Sequence, residues 1–300
     1  MGDIKLFRTQ PHAVTELVGS SVSVEKALQE LMERHLEDFL GVRFVASEYV
    51  TGPVHGGRID TLGLDENNSP VIIEYKRTSN ENVINQGLFY LDWLLDHQAE
   101  FALLAMKKLH LESDEVIDWS SPRVVCIAGD FNKYDGHAVQ QMGRNIELMR
   151  YQRYGDDYLL LELVNPGTSS SAASTSAVGA SRDKTVLEYL AKADDGLSQL
   201  FADVEAFAMS LGDDVVRKDL KNYVAFKRIK NFLCVEIHPQ AGKVTLFVKV
   251  NPDGVQLVDG FTRDVRTIGH FGTGDLEITL TDHTMLDHTW PLIQASYDVS

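Results

Sequence analysis

The residues best placed to do chemistry lie between Gly57 and Tyr90, in a stretch that begins GRIDTLGLDENNSPVIIEYKR. Arg58 to Leu64 is predicted as a strand, Asp65-Glu66-Asn67-Asn68-Ser69-Pro70 as a cluster of turn formers, and Val71 to Arg77 as a second strand, which together make a hairpin. Side chains alternate along a strand, so Ile72, Glu74 and Lys76 share one face and Val71, Ile73 and Tyr75 the other. Both faces begin apolar, as in a strand covered on both sides, where an acid and an ammonium need a reason to be present. Asp60 on the neighbouring strand can bring a second carboxylate to the same place. Two carboxylates and a lysine at a sheet edge can hold a hard divalent cation beside a positive charge, which is the equipment of metal-assisted phosphodiester hydrolysis.

A Glu-x-Lys pair on its own reads as a surface ion pair, since composition alone supplies about one in a chain of this length. Its context is more specific. Gln86 and Tyr90, spaced i, i+4, share one face of the helix that leaves the hairpin. Upstream, a helix offers Glu25, Glu30 and Glu33.

The elements that would position these groups can be followed along the chain. After a first twenty residues without a clear pattern, Ala27, Leu28, Leu31, Met32, His35, Leu36, Phe39 and Leu40 recur at helical spacing, with Ser23 as N-cap and Gly41 as the stop. Val42 to Val50 is a strand leading through TGPVHGG into the hairpin. From Glu81 one long helix carries an apolar stripe, Ile84, Leu88, Leu91 and Leu95, on through Phe101 and Leu104. Pro122 to Asp130 is a buried strand, Tyr134 to Asn145 a helix, and Ile146 to Tyr154 with Asp157 to Val164 a closing pair of strands. The domain, residues 1–164, is therefore α/β with a mixed sheet between helices. Residues 165–182, NPGTSSSAASTSAVGASR, have the composition of a flexible linker. Residues 183–300 form a second, α+β domain: helices over Lys184–Lys192 and Leu197–Leu211, antiparallel strands over Tyr223–Pro239, Val244–Val250 and Leu276–Thr281, and a final helix over Asp282–Tyr297.

With its GRID carrying Asp60, its EYK carrying Glu74 and Lys76, and Gln-x-x-x-Tyr at Gln86 and Tyr90, the chain resembles the PD-(D/E)XK nuclease superfamily, specifically its RecB-like and archaeal mismatch-endonuclease-like branches. The resemblance spans roughly residues 20–165, in the family's order of helix, three strands, helix and strand. Ile59 stands where the family's nominal motif has proline. What the resemblance implies is a restriction-endonuclease-like αβα sandwich, of the tRNA-endonuclease-like fold. Asp60 and Glu74, with the carbonyl of Tyr75, would ligate Mg²⁺ or Mn²⁺, and Lys76 would orient the attacking water and stabilise charge on the phosphate. Gln86 would position the substrate strand or the lysine, Tyr90 would contact the sugar-phosphate backbone, and Glu25, or Glu30, would be an outer metal or water ligand. The expected partner is nucleic acid, DNA in preference to RNA.

Charge bounds how such a partner could be held. The net charge is −16, and residues 1–166 carry 15 Lys/Arg against 26 Asp/Glu. This argues against a protein that coats nucleic acid by bulk electrostatics; if the chain binds polyanions, it must do so through local patches and a metal, with modest, salt-sensitive binding. No apolar run approaches the roughly 18 residues of a membrane span. Cys126 and Cys234 are far apart in apolar runs, as buried thiols of a reducing cytoplasm would be.

In the second domain RKDLKNYVAFKRIKNF, residues 217–232, is the one concentrated basic segment, and Lys227, Arg228 and Lys230 interleave with Tyr223, Phe226 and Phe232. That mixture suits phosphates and stacked bases, and equally a strand with an aromatic core face and a solvated basic face. GHFGTGD lacks the Gly-Lys-Ser/Thr of a P-loop and reads as a tight loop between strands; His283 and Asp287, at i, i+4, read as a helix-surface pair. YVAFKRIKNFLCVEI and DVRTIGHFGTGDLEI resemble a domain of unknown function nominally described as "predicted transport protein", over about 185–298. The absence of an apolar span sets that label aside. This domain is left to bind the substrate, a protein partner or a second copy in a homodimer, and with its basic strand it offers the rival reading of a non-catalytic nucleic-acid-binding or scaffolding protein.

Overall fold

The computed structural model describes residues 4–20, 25–76, 82–111, 117–165 and 186–300. The expected N-cap Ser23 and the expected linker beyond Asn165 lie outside the described residues. The chain divides into two compact units, Met1–Thr168 and Ser169–Ser300.

The first unit opens with a hairpin the sequence pattern did not reveal, β1 (Leu6–Gln10) and β2 (Ala13–Leu17), paired only with each other. After β3 (Gly19–Ser20) come α1 (Glu25–Arg34) and α2 (Leu36–Leu40). The single helix expected here is broken at His35, whose φ of −131° leaves the helical region, and Gly41 ends α2 in the left-handed conformation. Next are β4 (Val42–Val50), the single turn α3 (Gly52–His55), and the hairpin of β5 (Arg58–Asp65) and β6 (Pro70–Lys76). The one long helix expected from Glu81 is also two, α4 (Asn82–Asp96) and α5 (Gln98–Leu109), separated at His97. β7 (Arg123–Ala128), α6 (Lys133–Met142), β8 (Ile146–Tyr154) and β9 (Tyr158–Asn165) complete the unit.

The sheet runs β3-β8-β7-β6-β5-β4, with β9 on β8. It is mixed: β6, β7 and β8 are parallel, and the other pairs antiparallel. Both faces are covered. Leu62, Ile72, Val124 and Cys126 pack with Val83, Leu91 and Phe101 of α4 and α5, whereas Thr61 and Tyr75 turn toward α1, where Thr61 Oγ1 donates to Glu33 at 2.6 Å. This sandwiching is why β6 is buried on both faces up to Lys76.

The turn of the β5–β6 hairpin is anchored to the sheet by charge. Asp65 Oδ1 accepts from the amides of Asn67 and Ser69, each at 2.9 Å, and Asn68 takes the left-handed φ of 58° that such a turn tolerates. Its other oxygen meets Arg123 Nη1 at 3.2 Å, and Arg123 Nη2 meets Glu147 at 2.6 Å. Burial opposes the charge on Arg123, but the two carboxylates outweigh it and hold its pKa above the ordinary value. Removing one partner of such a buried set strands the others. Arg123→Ala should therefore destabilise the first unit by about 3–5 kcal/mol in urea-induced unfolding of the full chain.

The second unit contains α7 (Val186–Leu190), α8 (Asp195–Ser210), β10 (Val216–Asp219), β11 (Val224–Lys227), β12 (Asn231–His238), β13 (Lys243–Val248), β14 (Thr262–Asp264), β15 (Leu276–Leu280) and α9 (Leu286–Asp298). Its sheet, β10-β11-β12-β13-β15-β14, is antiparallel throughout. Leu200, Phe201 and Val204 of α8 and Ile293 of α9 form one core with Val224, Phe226, Leu233 and Val235 of the sheet. The strand expected over Tyr223–Pro239 is two strands joined by a tight reversal in which Arg228 N donates to Lys230 O at 3.0 Å. The expected GHFGTGD loop precedes β15, and glycine is required there: at Gly274, φ 152°, a Cβ would lie 2.6 Å from the backbone N of Val248. His283 lies in a 3₁₀ turn before α9 and pairs with Asp203 of α8 at 3.2 Å, not with Asp287.

Among the described residues no helix is long and apolar enough to cross a membrane. Among the described residues Cys126 and Cys234 form no disulfide, and both are buried.

Candidate active site

The ladder between β5 and β6 ends at Thr61↔Ile73. Beyond it the carboxylates take over the amides: Glu74 Oε1 accepts from Asp60 N at 3.2 Å, and Asp60 Oδ2 accepts from Tyr75 N at 3.1 Å. Each acid is thus held by the other's strand. The place is the C-terminal end of β6, where side chains are released from a sheet whose inner strands are parallel, a usual position for a ligand site in such sheets.

Around this fork lies a cavity of 420 Å³ whose lining includes Glu25, Asp60, Tyr75, Lys76, Gln86 and Tyr90. Six of the residues expected to act together from the sequence therefore share one pocket, and Glu74, outside its lining, is joined to it as the partner of Asp60. Lys76 Nζ is 3.7 Å from Glu25 Oε2, so the first helix contributes its opening glutamate. Glu30 is exposed and is not part of the lining. Gln86 Nε2 is 3.4 Å from Tyr90 Oη, which accepts from Arg58 N at 3.0 Å. Tyr90 is only 5% exposed, and a Cβ on Gly57 would come within 2.6 Å of its ring. Its evident work is to clamp the start of β5 to α4, with the hydroxyl at the pocket wall.

Lys227, Arg228 and Lys230 belong to the second unit. Lys227 is buried at the end of β11, and Arg228 is engaged by Asp214 at 2.7 Å and lies over the Tyr297 ring at 4.7 Å. They are not a row of solvent-facing cations, because the segment folds back on itself between β11 and β12.

The electrostatics of the fork are strained. Glu74 is 0% exposed, and its second oxygen, Oε2, is buried without a hydrogen-bond partner among the described residues. Burial, then the neighbouring Asp60 charge, push the Glu74 carboxyl up to about 9. Asp60 is also raised, first by burial, with Glu48 and Glu25 adding to it and the Tyr75 amide and Lys76 opposing. Two carboxylates that resist ionising together, one with an orphaned oxygen, are a site in want of positive charge. Among the described residues no three His, Cys, Asp or Glu side chains form a ready metal cluster. Two carboxylates and the Tyr75 carbonyl nevertheless suit Mg²⁺ or Mn²⁺, since Mg²⁺ is commonly held by one or two carboxylates with waters and substrate phosphate completing its shell.

Four lining residues have no counterpart in the sequence reading. Gln29, one turn beyond Glu25 on α1, places Nε2 2.8 Å from the Asp60 carbonyl, 2.9 Å from Glu33 Oε1 and 3.2 Å from Ser47 Oγ, which ties α1 to β4 and β5. Lys26, Glu48 and Arg58 form a linked trio at the pocket wall. Spacing from Glu25 could have found Gln29, but Glu48 becomes visible only when β4 is set in register against β5.

Residues 186–300 match the family described as "Domain of unknown function (DUF5655)". Along 305 aligned residues, 97% of this chain and 98% of the relative, the protein is 28% identical to one from Haemophilus influenzae described as "Uncharacterized protein". Two solved structures are similar over part of the chain. One is a repair endonuclease from Pyrococcus abyssi, with a TM-score of 0.30 and 16% identity over 46% of this chain and 51% of that one. The other is an EndoMS–dsDNA complex, with a TM-score of 0.25 and 15% identity over 44% and 47%.

The raised Glu74 carboxyl has a measurable consequence. A folded-state pKa above the ordinary 4.5 favours the folded state while the group is protonated, so this stability is complete at low pH and is lost as pH rises from about 4.5 toward about 9. In metal-free buffer at pH 8, Glu74→Gln should melt above wild type, by about 2–4 °C for each kcal/mol of relieved charge in a unit of this size. The difference should vanish toward pH 5.

Proposed function

We propose that the first unit is a metal-dependent nuclease that hydrolyses nucleic-acid phosphodiester bonds, DNA in preference to RNA, within a restriction-endonuclease-like sandwich. The single observation that carries this reading is the Asp60–Glu74 fork at the end of β6, with a Glu74 oxygen that has no partner among the described residues and with Asp60 and Lys76 in the wall of one pocket. Structural acids are paired off; these two are pressed together and left short of positive charge.

Asp60, Glu74 and the Tyr75 carbonyl would hold Mg²⁺ or Mn²⁺. When bound, the ion would supply Lewis acidity at the phosphate and lower the pKa of water. The protein's own groups do the rest. Lys76, 22% exposed at the pocket wall, places an ammonium where a phosphate oxygen gains charge and can orient the attacking water. Glu25, within reach of that ammonium, keeps it directed into the pocket and can accept a hydrogen bond from the water. Gln86 presents an amide from α4 to the incoming strand. Cys126 is not placed to serve as a covalent nucleophile: it is buried beside Glu74, and burial followed by that charge raises its thiol pKa well above the ordinary range.

The test is a cleavage panel of single-stranded, double-stranded and branched DNA and of RNA, with Mg²⁺ or Mn²⁺. Wild type should cut, and Lys76→Ala and Asp60→Asn should each lose about 10²–10³-fold in kcat. Cleavage that persists unchanged in both variants overturns the assignment. Metal-independent binding that is insensitive to Asp60→Asn and lost on neutralising Lys227, Arg228 and Lys230 would favour the non-catalytic rival.

A further inference from the structure

Glu48 is the one residue of the pocket wall whose backbone is out of keeping with its element. It sits inside β4 at φ 53°, the left-handed region that non-glycine residues seldom enter. Its neighbours Ser47 and Tyr49 pair with Thr61 and Ile59, so Glu48 stands across from Asp60. The irregularity has a visible result. Ser47 bonds Gln29 of α1 and Glu48 bonds Lys26 of the same helix, so two consecutive residues face α1 where regular alternation would send one away.

Glu48 uses this position to hold two cations. Its Oε1 is 3.0 Å from Lys26 Nζ and its Oε2 2.5 Å from Arg58 Nε. Their side chains are 47% and 64% exposed, against 28% for Glu48. Exposed ion pairs of this kind add little to stability, so stability alone does not account for a strained backbone kept in order to make them. The same pocket is short of free positive charge, because its third cation, Lys76, is within reach of Glu25. Among the described residues, a polyanion approaching this acidic unit meets no unengaged cation at the pocket wall.

We infer that Arg58 and Lys26 are the phosphate-receiving cations of this pocket and that Glu48 occupies them in the free protein, as a carboxylate that a nucleic-acid phosphate displaces. The guanidinium can take two phosphate oxygens side by side, as it now takes a carboxylate, and the ammonium can follow as a point charge. Displacement would leave Glu48 beside Asp60, adding acidic charge to the fork and so drawing a cation in together with the substrate. Binding would then combine exchange of one anion for another with metal uptake, which suits a chain too acidic for bulk attraction. The inference rests on the nuclease reading for the identity of its substrate, although the Lys26–Glu48–Arg58 trio itself does not depend on Asp60, Glu74 or Lys76 performing hydrolysis.

The experiment measures anisotropy of labelled single- and double-stranded oligonucleotides without metal across 50–200 mM salt, alongside cleavage kinetics with Mn²⁺, using full-length chain. Arg58→Ala and Lys26→Ala should each weaken binding about 3–10-fold and reduce the slope of log affinity against log salt by about 1, and Arg58→Lys should recover the slope. Glu48→Gln should tighten binding about 3–10-fold. Unchanged affinity and slope in both cation variants overturns the inference, as does a Glu48→Gln protein of unaltered melting temperature that binds more weakly than wild type. Wild type that binds by these rules and never cuts would sink the nuclease reading and leave this one standing. Wild type that cuts with a KM unmoved by Arg58→Ala and Lys26→Ala does the reverse, and a chain that neither binds nor cuts overturns both.

Discussion

The first unit depends on a fork where two strands stop pairing through backbone and continue pairing through carboxylates. Asp60 and Glu74 each accept an amide of the other's strand where the ladder has ended. An amide donor pair is a weak compensation for burying two acids side by side, and the orphaned Glu74 oxygen records what is missing. The sheet must therefore be stiff enough to hold the acids together against their repulsion. That stiffness comes from helices on both faces and from the buried Asp65–Arg123–Glu147 set at the opposite end of the hairpin. One end of β6 is anchored by a charge-compensated cluster, and the other is left under-compensated where the pocket opens.

The surroundings of the fork repeat this logic at lower cost. Lys26, Arg58 and Lys76 are all exposed enough to meet solvent, and all are engaged by carboxylates. The wall of the pocket is close to self-neutralising in spite of the chain's net charge of −16, and the shortage of positive charge is confined to the fork. The second unit differs in kind. Its antiparallel sheet carries a continuous apolar core against α8 and α9, and its charged residues mostly close local pairs such as Arg228 with Asp214 and Arg266 with Asp253.

Much of this could be read from residue order. The hairpin of β5 and β6, its turn at Asp65–Pro70 and the convergence of Asp60 with Glu74 all follow from period-two alternation and turn chemistry, which are local. The expected helices failed at His35 and His97 because apolar spacing continues across both breaks, so periodicity registers one helix where the backbone makes two. The N-terminal hairpin escaped notice because its strands are mostly exposed and lack a buried face to give a signal. The basic segment misled in another way: Lys227, Arg228 and Lys230 are near in sequence, but a reversal at Arg228–Lys230 turns a presumed strand face into a corner.

By itself the sequence determined the donor types, the strand that carries Glu74 and Lys76, and the helix face that carries Gln86 and Tyr90, since spacings of two and four residues are set by backbone geometry alone. Only the tertiary structure decided that Glu25 rather than Glu30 reaches the pocket, that Gln29 braces Asp60, and that Glu48 stands across from it holding Lys26 and Arg58. Those outcomes depend on how α1 lies over the sheet and on the register of β4 against β5. Both are products of packing between segments distant in sequence, and local propensity does not encode them.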